Sequence, residues 1–241
     1  MAQIHKGKSA LRQAARHNLI LSIMCFIPLV IYLMAFALIP LRFDSLWHLG
    51  FIVLCGWSSA YLYHQYQIKK RGIEGEENTL SALASLPDKY HVFNNVQLEH
   101  QGYSHELDII VLGPNGVFVV EVKNLNGSIS GNILDSRWIQ HKIGRKGGGY
   151  NQDIRNPVKQ VKGQVHSLAK NLQATGIDVW VDGIVFFSHP EVTLRVRNQG
   201  YPIITSATAL NNLIKRNNPR KRLGSQVIQQ ATNYILSKQV G

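Results

Sequence analysis

The sequence is poor in cysteine, and this shortage excludes two kinds of site. It contains two cysteines among 241 residues, Cys25 and Cys55, and both lie in apolar segments without a CxxC motif or a closely spaced Cys/His set. This pattern argues against a disulfide framework and against a zinc site. A glycine-rich stretch at 144–150 lacks the GK[ST] ending of a P-loop, which favours a flexible basic connection instead.

Acidic residues are also scarce, and their distribution is uneven. The chain has 14 acidic and 26 basic residues, for a formal net charge of +12. Residues 192–241 carry eight basic residues and no acidic one, whereas residues 72–136 carry nine acidic and two basic residues. A local acidic cluster in a basic chain is typical of a cation site flanked by a phosphate-binding surface. The alternatives are basic residues that solvate helices or that favour an anionic membrane surface.

Two apolar runs near the start of the chain predict transmembrane helices. Residues 19–41 carry no charge and are long enough for a span of about 20 residues, which Pro28 would kink. Residues 46–63 form a weaker second span because they include His48 and two serines. A basic segment, 1–18, precedes the first span, and a linker at 64–75 follows the second.

The distribution of basic residues predicts the orientation of these spans. Lysines and arginines flank both ends of the pair, whereas the connecting loop offers only Arg42. The positive-inside rule therefore favours a multi-pass protein of the cell membrane, with both ends of the hairpin cytoplasmic. One alternative is a signal peptide cleaved after Ala37, with the second run as stop-transfer. Another is a pair of buried soluble helices, which uniform apolarity disfavours.

The rest of the chain alternates between strand and helix patterns, which predicts an α/β domain over 76–190 that residues 191–241 complete. Strands are expected near 91–99, 105–112, 117–123, 179–187 and 192–196, with short extended pieces at 128–129 and 137–139. Helices are expected from Glu76 to Pro87 and near 157–172, 206–216 and 223–238.

Three polar residues interrupt the apolar strands at 105–112 and 117–123, namely Asp108, Glu121 and Lys123. A turn at 114–116 would join the two strands as a hairpin. If Pro114 and Asn115 form the turn, Asp108 lies opposite Glu121, and if Asn115 and Gly116 form it, Asp108 lies opposite Lys123. Both registers leave the three side chains on one face, because side chains alternate along a strand.

Such a group of side chains is suited to binding a cation. Two carboxylates beside a lysine make a site for a hard cation, together with a group that can position water. The alternative is a salt-bridged patch on a half-exposed sheet.

These residues and their surroundings resemble the PD-(D/E)XK nuclease superfamily, and in particular its NERD, or nuclease-related, domain. The resemblance covers about residues 72–175, and Leu107 departs from the proline of the superfamily name. It implies a restriction-endonuclease-like core, in which helices flank a mixed sheet. The matching segments are Gly75 and Glu76, residues 83–88, 90–96, 107–111 and 116–124, then Gly127, Gly131, Trp138 and residues 156–160.

The resemblance also implies roles for particular residues. Asp108, Glu121 and the carbonyl of Val122 would hold Mg²⁺ or Mn²⁺, and Lys123 would orient water or stabilise developing charge. Glu76 would complete the acidic set. From the residues alone, Glu76 is equally well explained as a favourable charge at a helix N-terminus, and Glu77 is a competing candidate.

Further residues are assigned to substrate binding. The resemblance implies that Gln160 points at the site, whereas the residues alone are equally consistent with a solvent-facing glutamine. Six basic residues are expected to contact nucleic-acid backbone phosphates: Lys142, Arg145, Lys146, Arg155, Lys159 and Lys162.

The sequence therefore predicts a membrane-anchored, Mg²⁺- or Mn²⁺-dependent nuclease acting on DNA, or on RNA, and its partners would be nucleic acid and the lipid bilayer. Two alternatives remain open. The first is a catalytically silent nucleic-acid-binding module. The second is a membrane scaffold that binds anionic lipids.

Overall fold

The computed structural model describes residues 1–38, 46–100, 102–144, 147–219 and 222–239. These residues form two compact units, one made of residues 1–8 and 74–241 and the other of residues 9–73. The predicted loop residue Arg42 lies outside the described residues. The strands are β1 (Gln3–Lys6), β2 (His91–His100), β3 (Tyr103–Gly113), β4 (Gly116–Lys123), β5 (Gly127–Asn132), β6 (Arg137–Ile143), β7 (Gly149–Arg155), β8 (Val181–Phe187), β9 (Val192–Arg197) and β10 (Ile203–Ile204). The helices are α1 (Ala10–Leu38), α2 (Leu46–Leu83), α3 (Pro157–Ala174), α4 (Ala207–Arg216) and α5 (Ser225–Lys238).

The first unit contains two sheets. The main sheet has six strands in the order β1-β2-β3-β4-β8-β10, with antiparallel pairs from β2 to β4 and parallel pairs elsewhere. The second sheet has four strands in the order β7-β6-β5-β9. The predicted α/β fold, in which helices flank a mixed sheet, is confirmed. The short extended pieces expected at 128–129 and 137–139 belong to this second sheet.

The main sheet is buried on both faces, which explains why its central strands read as nearly continuous apolar runs. One face packs with α3, α5 and the inner face of the second sheet around Val119, Leu168, Ile235 and Trp138. The other face packs with α4 and the end of α2 around Val120, Leu83 and Ile214. Polar side chains that point from β3 or β4 toward either face of the main sheet are therefore shielded from water.

Strand β1 was not predicted, because four residues give too short a pattern. It pairs in parallel with β2, from Gln3 opposite His91 to Lys6 opposite Asn94. The ring of His5 stacks on Phe93 with centroids 4.7 Å apart, and the Gly7 amide donates to Asn94 Oδ1 at 3.0 Å. The segment described from sequence as a basic N-terminus thus contributes an edge strand to the main sheet.

The second unit consists of α1 and most of α2, which run antiparallel. Ser22 and Ser59 each donate a hydroxyl hydrogen bond to the other's carbonyl at 3.0 Å, and the hydroxyl of Tyr32 lies 2.6 Å from Nδ1 of His48. Among the described residues, α1 alone is long and apolar enough to cross a membrane by length and composition. The expected second span is not apolar enough by the same criteria, because its polar and aromatic residues lower its mean hydropathy.

Helix α2 corrects two further expectations. The predicted linker at 64–75 is helical, and the helix predicted to begin near Glu76 begins thirty residues earlier, at Leu46. Residues 69–77 consist of six charged residues with Gly72, Ile73 and Gly75. Lysine, arginine and glutamate are good helix formers, and the two glycines weaken a helix without interrupting its backbone hydrogen bonds.

Gly131 permits the close packing of the second sheet on the main one, and we predict that Gly131→Ala destabilises the protein by about 1–3 kcal/mol. A Cβ there would lie 2.4 Å from Cδ1 of Trp138. That indole is fully buried and donates to the Asn132 carbonyl at 2.7 Å, so it has little room to move. Thermal unfolding of the full chain in detergent measures the loss of stability.

The matched control is Gly163→Ala in α3, where an added Cβ meets nothing within 4 Å. Replacing a helix-interior glycine with alanine should stabilise by up to about 1 kcal/mol. If Gly131→Ala unfolds at the wild-type temperature, Trp138 does not constrain this position.

Candidate active site

The turn between β3 and β4 decides which of the two predicted registers is correct. Gly113 pairs with Gly116, so Pro114 and Asn115 form the turn. The buried Asn115 side chain donates to the Lys215 carbonyl of α4 at 2.6 Å, which fixes the turn. Because Ile109 pairs with Val120, the next step of the register sets Asp108 beside Glu121. The first predicted register is confirmed and the second is wrong.

The three predicted side chains meet at the C-terminal end of β4. Lys123 Nζ lies 2.5 Å from Glu121 Oε1, and the Val122 amide donates to Asp108 Oδ2 at 2.9 Å. Glu121 is 0% exposed. The arrangement therefore differs from a salt-bridged patch on a half-exposed sheet, since the carboxylate of the pair is fully removed from water.

Helix α3 supplies two glutamines to this cluster. Lys123 Nζ donates to Gln160 Oε1 at 3.2 Å, so Gln160 lies at the cluster rather than in solvent. Gln164, one turn later, is 2% exposed and donates to Glu121 Oε2 at 2.7 Å and to the Glu106 carbonyl at 3.0 Å. Gln164 was not predicted as a site residue. Its spacing of four from Gln160 was the available signal, because such residues share a helix face.

Asn156 sets the position of α3. Its Oδ1 accepts from the amides of Val158 and Lys159 at 2.9 and 3.3 Å, which caps the helix. Its Nδ2 donates to the Asp135 carbonyl at 2.7 Å and to the Ile133 carbonyl at 3.1 Å, in the turn between β5 and β6. Asn156 is fully buried, so it ties the helix that carries both glutamines to the second sheet.

Glu76 reaches the cluster from α2. A Cβ at the preceding Gly75 would lie 2.6 Å from Asn124 Cβ, so the helix backbone approaches the residue that follows β4. The charge of Glu76 contributes to the raised pKa of Asp108. Since α2 begins at Leu46, Glu76 is in the helix interior, and its explanation as an N-terminal helix charge is wrong. Its neighbour Glu77 is exposed.

The electrostatics of the cluster favour an added positive charge. Burial raises the pKa of Asp108 well above its ordinary value, and the charges of Glu121 and Glu76 raise it further against Lys123 and the Val122 amide. Burial disfavours the Lys123 ammonium, but Glu121 and Asp108 outweigh burial and raise the pKa of this lysine. Lys123 is therefore protonated at neutral pH, and a further cation near Asp108 would favour the ionised form of its carboxyl group.

The donor set has the chemistry of a hard-cation site, although its ligands are not gathered around a point. Carboxylates on adjacent strands are the oxygen ligands that Mg²⁺ and Mn²⁺ prefer. In the part of the chain that the structure describes, no group of three or more His, Cys, Asp or Glu side chains is arranged to hold a metal ion. Lys123 occupies one oxygen of Glu121 and Gln164 the other.

The predicted phosphate-binding residues are dispersed. Arg155 ends β7 just before the cap of α3, and its charge acts on the pKa of Lys123. Lys159 is exposed on the first turn of α3, whereas Lys162 lies 5.4 Å from the centroid of the Tyr201 ring. Lys142 donates to Gln152 at 3.2 Å. Arg145 and Lys146 lie outside the described residues.

A cleft of about 580 Å³ lies at one end of the second sheet. Lys142, Tyr150 and Glu191 are among the residues that line it. Asp108, Glu121, Lys123 and Gln160 do not line it, so this cleft is not the polar cluster.

We predict that Asp108→Asn stabilises the protein at neutral pH in the presence of a chelator. The ordinary pKa is 3.8, and the folded-state pKa is higher. Protonated Asp108 therefore contributes stability that is full below the ordinary pKa and is lost as the pH rises through the folded pKa. Asparagine can still accept from Val122 but never ionises.

Thermal unfolding from acid to neutral pH tests this. The variant should match the wild type near pH 4 and exceed it increasingly toward pH 7, while the exposed Asp178→Asn control follows the wild type throughout. A variant that is less stable than the wild type at neutral pH would show that Asp108 is ionised and satisfied without metal.

Comparison with known proteins finds a similarity that includes the residues of this cluster. Residues 71–188 match the family model described as the nuclease-related domain, NERD. A similar protein is an uncharacterized protein of Bacillus anthracis, which is 35% identical over 96 residues, or 39% of this chain and 45% of that protein. The chain thus spans less than half the length of that relative. A search of solved structures finds no significant match.

Proposed function

Because residues 71–188 match the nuclease-related domain, we propose that the protein is a membrane-anchored, metal-dependent nuclease that hydrolyses phosphodiester bonds of DNA. The supporting observation is the polar cluster at the end of β4, where the buried Glu121 contacts Lys123 and Lys123 contacts Gln160. A salt bridge alone does not require a second carboxylate whose pKa is raised by burial and by the neighbouring charges of Glu121 and Glu76, as that of Asp108 is. A phosphodiester site needs both negative ligands and a positive group.

Asp108, Glu121 and the carbonyl of Val122 would hold Mg²⁺ or Mn²⁺, with Glu76 completing the acidic set. When bound, such an ion polarises the phosphate and lowers the pKa of a bound water. The raised pKa of Asp108 supports this assignment, since a neighbouring cation is what would favour its ionised form.

The lysine would act on the attacking water or on the charge that develops on the phosphate. Its raised pKa keeps it protonated, so it would donate hydrogen bonds rather than remove a proton. The side-chain oxygen of Gln160 accepts a hydrogen bond from the Lys123 ammonium, which restricts the direction in which the lysine side chain points. Gln164 donates to Oε2 of Glu121, the carboxylate oxygen that Lys123 does not contact, and so restricts the orientation of that carboxylate. The two glutamines would therefore be positioning residues.

One observation favours a second candidate, a catalytically silent nucleic-acid-binding module. Lys123 already neutralises Glu121, and the described residues contain no ready-made group of three ligands. In that case the acidic residues would serve structure, and nucleic acid would bind without being cut.

We predict that Lys123→Ala lowers the rate of DNA cleavage on the order of a hundred-fold or more, with DNA binding nearly unchanged. Removing a group that stabilises transition-state charge has a cost of that size. Removing one phosphate contact among many lowers the salt dependence of binding by only about one unit. The assay uses the full chain in detergent, with Mg²⁺, Mn²⁺ or EDTA, on DNA and RNA.

Lys170→Ala is the matched control, since it removes the same charge from an exposed position farther along α3. It should cleave at the wild-type rate, and EDTA should stop cleavage by every active protein. Equal losses of binding and cleavage in Lys123→Ala would mean that this lysine only contacts phosphate and has no role in the chemical step. Wild-type binding without metal-dependent cleavage of any substrate would favour the silent module.

Strand β1 supports the membrane part of the proposal. Residues 1–8 and 74–241 form one compact unit, so the chain must leave that unit after Lys8 and return to it at Glu74. A single crossing would put β1 and the sheet it pairs with on opposite sides of the bilayer. We therefore infer that α1 and the apolar half of α2 enter the membrane together. Cleavage after Ala37 would also remove β1 from its sheet.

The contacts within the second unit fit such a hairpin. Large apolar side chains such as Met24, Phe26 and Ile31 are exposed along α1, and the bilayer would cover them. Two of the three polar residues that weakened the second predicted span are bonded to α1, since Ser59 pairs with Ser22 and His48 with Tyr32. Internal hydrogen bonds of this kind make polar side chains tolerable in a membrane.

We predict that residues 8 and 237 lie on the same, cytoplasmic side. Basic residues flank both ends of the hairpin, which the positive-inside rule assigns to the cytoplasm. In a cysteine-free background, Lys8→Cys and Ser237→Cys should react with a membrane-impermeant maleimide only after lysis, and Arg42→Cys should react in intact cells. Labelling of position 8 but not 237 in intact cells would mean a single crossing.

A further inference from the structure

The outer face of the second sheet carries four arginines, one each on β6 and β7 and two on β9. Its inner face is buried, with Ile129 and Trp138 at 0% exposure. On the outer face, Arg137 on β6 pairs directly opposite Arg155 on β7. Strand β9 adds Arg195, opposite Ser130, and Arg197, opposite Asn132. All four are exposed, and we call this set the arginine face.

The arginine face is electrostatically unfavourable in the protein alone. Like charges directly opposite each other on adjacent strands destabilise a sheet, as with Arg137 and Arg155. Within the described part of the chain, no carboxylate makes a salt bridge with any of the four arginines. Asp153 lies on the same face, opposite Ile139, and its single charge cannot balance four. A bound polyanion would relieve this repulsion.

We propose that the arginine face binds the phosphate backbone of double-stranded nucleic acid and leads it to the polar cluster. This inference rests on the proposed nuclease function and extends it with a substrate class and a binding surface. Neighbouring strands lie about 4.8 Å apart. A row of side chains that crosses the four strands of this sheet therefore spans roughly the width of a groove of the duplex. Guanidinium groups bind phosphate oxygens in a bidentate manner and without regard to sequence.

Arg155 connects this face to the cluster. It directly precedes Asn156, the cap of α3, and the first turn of that helix carries Gln160, which contacts Lys123. A backbone that contacts Arg137 and Arg155 therefore arrives next to the element that positions Lys123. This continuity favours a nucleic acid over an anionic membrane surface, because lipid headgroups would have no use for the polar cluster.

The composition of the face favours a duplex over a single strand. Proteins that bind single strands stack the bases on aromatic side chains. The described residues of the outer face include Ser128, Ser130, Ile139 and Thr193 beside the arginines, and no Phe, Tyr or Trp. Tyr150 pairs opposite Lys142 and so belongs to the other set of alternating positions.

Salt dependence of duplex binding tests the inference. The full chain in neutral detergent with EDTA is titrated with a short fluorescent DNA duplex across a series of NaCl concentrations. The double variant Arg195→Gln/Arg197→Gln should lower the slope of log affinity against log salt by about two units, one per lost contact. The matched double variant Lys215→Gln/Arg216→Gln, which removes two exposed charges from α4, should keep the wild-type slope.

A stability measurement gives a second readout. Arg137→Gln should weaken duplex binding and slightly raise the melting temperature of the unbound protein, because it relieves the repulsion from Arg155. A merely structural arginine would lower the melting temperature when replaced.

Five outcomes would overturn the inference. Equal changes of slope in both double variants would mean that only net charge matters. Tighter binding of single strands than of duplexes would contradict the substrate class. Loss of binding to phosphatidylserine-containing micelles in Arg195→Gln/Arg197→Gln, with an unchanged DNA slope, would assign the face to lipid. If the wild type cleaves DNA but the slopes do not move, this inference fails and the proposed function stands. If the wild type binds no nucleic acid, both fail.

Discussion

The arrangement of the site depends on one buried carboxylate, that of Glu121. A fully buried carboxylate is strongly unfavourable unless charge and hydrogen bonds compensate it. Lys123 satisfies one of its oxygens and Gln164 the other. Both partners are in turn held, the lysine by Gln160 and the glutamine by the backbone of β3. This chain of contacts fixes α3 against the main sheet at the point where β4 ends.

The same constraint links the two sheets to the chemistry. Asn156 holds α3 to the turn between β5 and β6, so the second sheet determines where Gln160 and Gln164 lie. Several residues of the family motif therefore have structural explanations. Gly131 leaves room for Trp138, and Gly75 lets α2 approach Asn124. Asp108 is the exception, since the Val122 amide and the charge of Lys123 only partly offset its burial and the charges of Glu121 and Glu76, and this is why we propose a cation as its partner.

The sequence predicted the elements better than their tertiary relations. The hairpin of β3 and β4 and helix α3 followed from alternation, turn residues and a proline in the first helical turn. The register did not, because it depends on the contact of Asn115 with α4, a hundred residues later. Strand β1 also escaped prediction, since its partner β2 lies far along the chain. Gln164 was missed because its burial depends on the packing of α3 over Glu121.

The most direct test of the account is a calorimetric titration of Mn²⁺ into the full chain in detergent at acidic and neutral pH. We expect the wild type to bind Mn²⁺ more tightly at neutral pH and to release a proton on binding at a pH below the raised pKa of Asp108. Glu121→Gln and Asp108→Asn should each weaken binding, whereas Asp178→Asn should not. No binding by the wild type, or an affinity unchanged in both site variants, would contradict the assignment of this cluster as a metal site.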